Sequence, residues 1–249
     1  MAGTYAYEGE DLVTGWHSHD LHQVEYAFEG VVEVETEAAR YLLPPQQALW
    51  IPAGLHHQTT IMRAKTVSVF FAPDMISTGD LRARVLAAAP VIREMILYGS
   101  RWPIGRTSSD ELADSFFDTL ASLVVEWLDH EAPLSLPTSR DPVISAVMTY
   151  TATNLETVQV SGLCHSVGLS ERTLRRRFQA DTGMTWRSYL LESRLLRSMA
   201  LLVEPGSSVL DVATSVGFDS VSAFTRAFKR HTGETPSEYR RRVTTSTSG

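Results

Sequence analysis

Five of the eight histidines of this 249-residue chain lie in two short segments near its amino end. In the segment GWHSHDLHQVEYAFEG, His17 and His19 are two residues apart, so on a strand their side chains share one face with those of Gln23 and Glu25. The segment IPAGLHHQ adds His57 after a turn. Two imidazoles joined by a third from another strand form one side of a binding site for a divalent transition metal ion.

Two interpretations of these three histidines stay open. In the first, they bind a metal ion together with Gln23, or with Glu25 in its place. In the second, they line an effector pocket and form hydrogen bonds with an organic ligand, or with one another. His22 has the opposite strand parity, so we predict a structural role for it.

The elements that must position these side chains are short and rich in β-branched and aromatic residues. Glycine and proline turns separate them, among others at Gly30 and at Pro52-Ala53-Gly54. Many short strands at such spacing predict a small antiparallel barrel or sandwich. The predicted strands are Gln23–Phe28, Val31–Thr36, Gln47–Ile51 and Thr66–Phe71.

After Asp80 the apolar residues recur three and four positions apart, which indicates helices. The two helical segments are Leu81–Tyr98 and Asp110–Leu128. In the second segment an apolar stripe begins with Leu112 and Phe116. The stripe predicts packing against the barrel, and a helical dimer interface is the alternative use of the same residues.

Residues 132–142, APLSLPTSRDP, hold three prolines and no helical period, which predicts a linker. We therefore expect a sensor barrel (1–78), a helical packing or dimerisation region (79–131), the linker, and a helical domain (143–242). The net charge of −7 argues against nucleic acid for the chain as a whole. Divided at the linker, the charge becomes −10 up to residue 140 and +3 beyond it.

Composition excludes several classes of protein. With 43% hydrophobic and 20% charged residues, the chain is globular rather than disordered or collagen-like. Its single cysteine, Cys164, cannot form an internal disulfide, and we interpret it as a buried packing residue. The sequence shows neither a signal peptide nor an apolar run of roughly 18 residues, so we expect a cytoplasmic protein without membrane contact.

The helical domain repeats itself at an offset of 49 to 50 residues. In each copy the sequence predicts a short helix, a glycine turn and a second helix, which is the helix-turn-helix arrangement. The predicted cap of the second helix is Ser170 in the first copy and Asp219 in the second. The repeated residues are Ser166-Val167-Gly168 with Ser215-Val216-Gly217, and Leu174, Phe178 and Gly183 with Phe224, Phe228 and Gly233.

The second helix of each copy carries polar residues opposite its apolar stripe. Such side chains can contact base edges and phosphates from within a major groove of double-stranded DNA. The alternative is a solvated charged face, which a register shared by both copies disfavours. Arg177, beside the apolar stripe, is predicted to be a flanking phosphate contact or plain surface. The outward residues are Arg172, Arg175, Arg176 and Gln179, then Ser222, Thr225, Arg226 and Lys229.

A linking helix, Trp186–Val203, is predicted between the two copies, with Thr185 as its cap. Its length of roughly 27 Å follows from its residue count. We expect it to hold the two recognition helices about one DNA turn apart, roughly 34 Å. One subunit then contacts two successive segments of the major groove.

Residues 143–242 resemble the DNA-binding domain of the AraC/XylS family of bacterial transcription regulators. The resemblance is carried by GFDSVSAFTRAFKRHTGETPSEYR, residues 217–240, and by the helix segment YLLESRLLRSMALL. It implies two helix-turn-helix units in adjacent major grooves. Carried over by position, it adds Thr173 and Val221 to the residues expected to contact bases, although Val221 departs from the polar residue often found there.

The front half resembles a cupin barrel, the regulatory domain in part of that family. An HxH pair followed by a carboxylate, and later PxGxxH, are the two cupin motifs. They map to His17, His19 and His57, and Gln23 stands where the resemblance implies a glutamate. An amide is a poor base, so this departure weakens a catalytic role more than a binding role.

The fold class that we expect is α+β with two domains, a cupin-like β-barrel with accessory helices and an all-α double helix-turn-helix domain. The expected function is a ligand-responsive transcription regulator, activator or repressor, that acts as a homodimer. Its barrel senses a small molecule or metal ion, and its helices bind promoter DNA. No catalysis is expected. The alternatives are a metal-dependent cupin dioxygenase or isomerase with an appended DNA-binding domain, and a barrel that serves only for oligomerisation.

Overall fold

The computed structural model describes residues 1–45, 47–79, 81–87, 90–107, 110–129, 135–204 and 206–245. Its strands are β1 (Ala2–Gly9), β2 (Leu12–Val13), β3 (His22–Thr36), β4 (Ala39–Leu43), β5 (Gln47–Ile51), β6 (His57–Phe71), β7 (Arg84–Ala87) and β8 (Ser135–Pro137). Its helices are α1 (Pro90–Gly99), α2 (Glu111–Leu128), α3 (Pro142–Thr153), α4 (Val160–Ser166), α5 (Glu171–Thr182), α6 (Trp186–Leu202), α7 (Val209–Ser215), α8 (Val221–Thr232) and α9 (Pro236–Thr245).

The chain divides into two compact units. The first comprises residues 1–36 and 40–135, and the second comprises residues 37–39 and the chain from residue 136 onward. The first unit is β-rich with two helices, and the second is helical, so the expected two-domain α+β class is confirmed. Within the predicted linker, residues 132–134 lie outside the described residues. Its remainder contains β8 and Asp141, which caps α3.

The first unit is built on β3 and β6, which are each 15 residues long. They pair antiparallel along their whole length, from His22 opposite Phe71 to Thr36 opposite His57. β5 pairs with the first half of β3 and β4 with its second half, while β1 and β2 pair with β6. Among the described residues these pairings form an open sheet rather than the closed ring of strands that a barrel implies.

The turn predicted at Gly30 is an irregularity inside β3. The register between β3 and β6 shifts on both sides of Glu29. Gly30 has a φ of +74°, a conformation that residues with a Cβ rarely adopt. The predicted strands Gln23–Phe28 and Val31–Thr36 are therefore one strand interrupted by a bulge.

Alternation along β3 separates apolar from polar side chains. Val24 and Tyr26 join the apolar core beneath α1 and α2, and the intervening Gln23 and Glu25 face the other way. From α2, Phe117 and its helical neighbours enter the same core, as the packing interpretation of the helix predicts. The buried residues of α2 are Ala113, Phe117, Leu120, Ala121, Val124 and Leu128, whereas Leu112 from the predicted stripe is exposed.

The predicted helix Leu81–Tyr98 begins only at Pro90. Arg84–Ala87 instead forms β7, antiparallel to β5, where Val85 and Leu86 are both buried. A short apolar run has the same periodicity in a buried strand as in a buried helix, so the pattern alone does not separate them. The free edge of β5 decides in favour of a strand.

The second unit repeats its structure at the offset seen in its sequence. Helices α5 and α8 are both 12 residues long, and each ends at a left-handed glycine, Gly183 or Gly233. The cap predicted for α8 at Asp219 is wrong by one residue, because the Ser220 hydroxyl accepts the Ala223 N–H at 3.2 Å. Thr185 caps α6 as predicted. No helix in the described ranges combines the length and hydropathy needed to cross a membrane.

We expect Phe117→Ala to lower the free energy of unfolding by about 3–5 kcal/mol, because it removes a buried ring from the core between α2 and the sheet. Leu112→Ala is the matched control on the same helix, and it should change stability by no more than about 0.5 kcal/mol, because Leu112 is 59% exposed. Urea denaturation of the full chain measures both. Equal losses from the two variants would contradict this packing of α2.

Candidate metal centre and nucleic-acid interface

The structure brings His17, His19 and His57 together. A ligand nitrogen from each ring lies within 4.8 Å of the other two. His57 begins β6, and its backbone exchanges two hydrogen bonds of 2.9 Å with that of His17. The prediction that His17 and His19 lie on a strand is wrong. An isolated bridge to His57 holds His17 instead, after a turn at Gly15, whose φ is +71°.

Each of the three imidazoles is oriented by a backbone carbonyl two residues away. The Nδ1 atoms of His17, His19 and His57 lie 3.0, 2.7 and 2.8 Å from the carbonyl oxygens of Gly15, Leu21 and Leu55. A carbonyl oxygen only accepts, so each Nδ1 carries a proton and donates it. The Nε2 lone pairs are then left for a ligand, and metal-binding histidines are typically oriented in this way.

His57 shows most clearly that the cluster fits a cation. Its side chain is fully buried, and among the described residues its Nε2 has no hydrogen-bond partner. Burial lowers the pKa of His57 to about 4, against the opposing effect of the Leu55 carbonyl. The ring is therefore neutral near pH 7, which is the form that binds a metal ion.

Gln23, rather than Glu25, lies next to the histidines. The Gln23 Oε1 is 2.8 Å from the His19 Nε2, so two acceptor atoms face each other unless a proton or metal ion lies between them. The Gln23 amide donates to the Glu25 carboxyl at 2.9 Å and to the Ser68 hydroxyl at 3.1 Å, and Ser68 also donates to Glu25. Burial raises the pKa of Glu25, and these hydrogen bonds oppose the rise.

The two remaining histidines of this region lie outside the cluster. His22 is buried, accepts the Ala53 N–H at its Nδ1 (2.9 Å) and packs on Trp50 with ring centroids 4.7 Å apart. His56 stacks on Trp16 at 5.3 Å. The structural role predicted for His22 agrees with these contacts.

The two recognition helices bury their predicted stripes and expose the opposite faces. Leu174, Phe178, Phe224 and Phe228 are buried. On the outward faces, two side chains form hydrogen bonds within the protein. The Thr173 hydroxyl lies 2.9 Å from that of Ser170, and the Gln179 amide donates to the Gly183 carbonyl oxygen at 2.8 Å. Val221 and Thr225 are half-buried, and the exposed residues are Arg172, Arg175, Arg176, Gln179, Ser222, Arg226 and Lys229.

Arg177 is a structural residue, so the expectation of a phosphate contact or plain surface is wrong. Its Nε and Nη2 each donate to the Asp141 carboxylate at 2.8 Å. Asp141 also caps α3 by accepting the Val143 N–H at 2.9 Å. The hydrogen bond from Arg177 lowers the pKa of Asp141, with the backbone N–H groups adding to the effect. Arg177 and Asp141 are 36 residues apart in the sequence, so local pattern does not reveal their contact. The Asp-Pro sequence at residues 141–142 indicates only that Asp141 caps a helix.

Arg194 of α6 connects the two copies. Its Nε donates to the Leu155 carbonyl oxygen between α3 and α4 at 3.0 Å. A Cβ at Gly217, the turn of the second copy, would lie 2.5 Å from the Arg194 Nη2 and 2.5 Å from the Glu156 carbonyl oxygen. Gly217 also has a φ of +83°, so only glycine fits this turn. Burial lowers the pKa of Arg194, and Asp219 opposes this change.

Comparison with known proteins agrees with this geometry. The Helix-turn-helix domain family matches residues 163–242. Residues 163–242 form an AraC-type helix-turn-helix domain. Relatives of the chain include the HTH-type transcriptional regulator NimR of Escherichia coli K12, 27% identical over 239 residues, which cover 95% of this chain and 85% of NimR.

Other proteins resemble this AraC-type domain and its chain. The HTH-type transcriptional activator RhaR of Escherichia coli K12 is 31% identical over 133 residues, so this match spans about half of each protein, 53% of this chain and 47% of RhaR. Among solved structures, ToxT from Vibrio cholerae O395 is 14% identical with a TM-score of 0.42, over 98% of each chain. An AraC-type regulator from Chromobacterium violaceum is 28% identical with a TM-score of 0.39, over 41% of this chain and 92% of that one.

The crowding at Gly217 predicts a difference between the two turn glycines of the AraC-type domain. Gly168→Ala should destabilise the protein by about 1 kcal/mol, because its φ is +65° while the space around it is open. Gly217→Ala should cost at least about 1 kcal/mol more, because its methyl group also meets Arg194 and the Glu156 carbonyl. Urea denaturation followed by circular dichroism compares them, and equal losses would contradict the role of Arg194.

Proposed function

We propose that this protein is a sequence-specific transcriptional regulator whose β-rich unit binds a divalent transition metal ion or a small-molecule effector. Its recognition helices α5 and α8 enter adjacent major-groove segments of promoter DNA. The observation that carries the proposal is the duplicated helix-turn-helix, with exposed polar residues at the same positions of both recognition helices. The named relatives NimR and RhaR are transcriptional regulators, which supports the same function.

The arginines of the recognition helices support DNA as the partner. Arg176 and Arg226 are exposed at equivalent positions, 50 residues apart. In the described part of the chain neither guanidinium has a hydrogen-bond or ion-pair partner, unlike that of Arg177. A planar guanidinium without an internal partner is suited to guanine edges and phosphates.

We expect Arg176→Ala and Arg226→Ala each to weaken specific DNA binding by about 1–3 kcal/mol and to relax base preference at one position. A mobility shift with the DNA upstream of the protein's own gene, at a stated salt concentration, measures the loss. Lys65→Ala is the control, because it removes one positive charge from the β-rich unit. Unchanged specific affinity in both arginine variants would show that these are not base contacts.

The histidine cluster supports metal binding in the β-rich unit. Each of the three imidazoles brings a ligand nitrogen to within 4.8 Å of the other two, and Gln23 adds a carbonyl oxygen beside His19. These donors suit a divalent transition metal ion such as Zn²⁺. When bound, the ion supplies a positive charge and open coordination positions for an effector. The protein's own part is to hold the rings through the Gly15, Leu21 and Leu55 carbonyls.

We expect His19→Ala to lower the affinity for Zn²⁺ at least about tenfold, because it removes one of the three imidazoles and the contact to Gln23. Isothermal titration calorimetry on chelator-treated full-length protein measures the affinity. His56→Ala is the matched control: it deletes a nearby imidazole that stacks on Trp16 outside the cluster, and should leave the affinity unchanged. No stoichiometric binding by the unaltered protein, or equal losses in both variants, would refute the metal centre.

Two alternatives use the same front half differently. A metal-dependent cupin enzyme with an appended DNA-binding domain needs a base beside the metal, and the side chain there is the Gln23 amide. The Glu25 carboxyl behind it is held by Gln23 and Ser68, which supports a positioning role. The other alternative is a β-rich unit that serves only to form the homodimer expected from the sequence. It predicts no thermal shift with metal ions or small ligands.

A further inference from the structure

The first helix-turn-helix copy contains a basic cleft between the start of α5 and the start of α6. This cleft has a volume of about 470 Å³, and its charged lining residues are Arg172, Arg175, Arg187 and Glu171. Thr185, Trp186, Val160 and Leu174 complete it. Arg187 was not among the residues predicted to contact DNA, because it lies outside both recognition helices.

The three arginines of the basic cleft are not held by contacts within the described residues. In the parts of the chain that the structure describes, the side chains of Arg172, Arg175 and Arg187 make no hydrogen bond or ion pair. Other arginines of the helical unit do have acceptors: Arg177 donates to Asp141, Arg194 to Leu155, Arg240 to Leu202 and Arg242 to Glu234. Three guanidinium groups with one carboxylate leave a net charge of about +2 in a small volume, which favours an anionic partner.

The second copy provides an internal comparison, because the same positions recur 50 residues later. Ser222, Thr225 and Ser237 stand there in place of the three arginines. At the start of α9 the Glu238 carboxylate accepts from the Thr235 N–H and hydroxyl, both at 2.8 Å, and these bonds lower the pKa of Glu238. The two copies therefore share their fold but differ in charge at this place.

The start of α6 has no such carboxylate. Ser188 occupies the position equivalent to Glu238, and its hydroxyl lies 2.8 Å from that of Thr185. The residue before it is Arg187, where the second copy has Ser237. Over these two positions the first copy therefore carries one positive charge at the edge of the basic cleft, where the second copy carries one negative charge.

We propose that the basic cleft binds a backbone phosphate of the DNA strand that borders the groove entered by α5, with Arg187 as a DNA-contacting residue. The inference rests on the proposed function, and it goes beyond that function by assigning a phosphate site outside the recognition helices. The shared chemistry is that of a phosphate group. The DNA backbone is the occupant because Arg172 and Arg175 belong both to the cleft and to the recognition helix. Arg176, which does not line the cleft, is left for base edges.

The proposal gives the two copies different tasks. The first copy contributes most of the salt-dependent affinity, since each phosphate contact by a cation releases counterions. The second copy, with Ser222, Thr225 and Arg226 on its outward face, contributes more through groove contacts than through charge. This difference is measurable as a change in the slope of the logarithm of affinity against the logarithm of salt concentration.

The test compares three full-length variants with the unaltered protein in mobility shifts over a series of salt concentrations. Arg187→Ser copies the residue of the second unit, and it should reduce the slope by about 1 and weaken binding to specific and unrelated DNA alike. Ser188→Glu should also weaken binding, while its thermal midpoint stays equal or rises, because an acidic residue in the first turn favours a helix. Arg197→Ser is the matched control, an exposed arginine ten residues further along α6, roughly 15 Å away.

An unchanged salt-dependence slope in Arg187→Ser, or an equal reduction of the slope in Arg197→Ser, would overturn the phosphate site. The proposed function would not be affected by that result, because the Arg176→Ala and Arg226→Ala variants test it separately. If the unaltered protein does not bind DNA at all, both the phosphate site and the proposed function are overturned. A thermal shift with inorganic phosphate, against chloride at equal ionic strength, separates the two sources of phosphate. Stabilisation that requires Arg187 without any change in DNA slope would assign the cleft to a free anion and would also overturn the proposal.

Discussion

The antiparallel pairing of β3 with β6 governs the first unit, because side chains alternate between the two faces of a strand. With His22 opposite Phe71, Val24 and Tyr26 face the helices while Gln23 and Glu25 face away. A slip of one residue would turn the polar set toward α2 and the apolar set toward the opposite face, where the histidines lie. The other end of the same pairing brings His57 to the position where its backbone bonds to His17. The apolar core and the histidine cluster thus depend on one register.

That register also places polar groups in the interior, where they lower stability unless they are hydrogen-bonded. Glu25 is satisfied by Gln23 and Ser68, so it holds the amide of Gln23 in place. The His57 Nε2 has no such partner among the described residues, and a ligand nitrogen of each of the three imidazoles lies within 4.8 Å of the other two. An unsatisfied buried acceptor at a convergence of ligand atoms is typical of a binding site rather than of a core.

In the helical unit, the acceptors available to each arginine separate structural from functional side chains. Arg177 and Arg194 lie against Asp141 and the Leu155 carbonyl, so they join segments that are 36 and 39 residues apart. These contacts stabilise the arrangement of the helix-turn-helix copies around α6. The exposed arginines of α5 and the start of α6 have no acceptors within the described chain, and their charge is available to a partner. The net charge of +3 on the residues after 140 therefore says less about DNA binding than the positions of the charged side chains do.

The sequence by itself determined the features that depend on neighbouring residues. Helix caps such as Ser170 and Thr185 and the apolar stripes of α5 and α8 involve residues within a few helical turns, so their pattern is visible along the chain. The repeat at an offset of 50 residues is visible because the same pattern occurs twice. Only the tertiary structure decided the features that need a distant partner. β7 replaces a predicted helix because β5 offers it an edge. Arg177 is structural because Asp141 lies beside it, and Arg187 joins Arg172 because α6 begins next to α5.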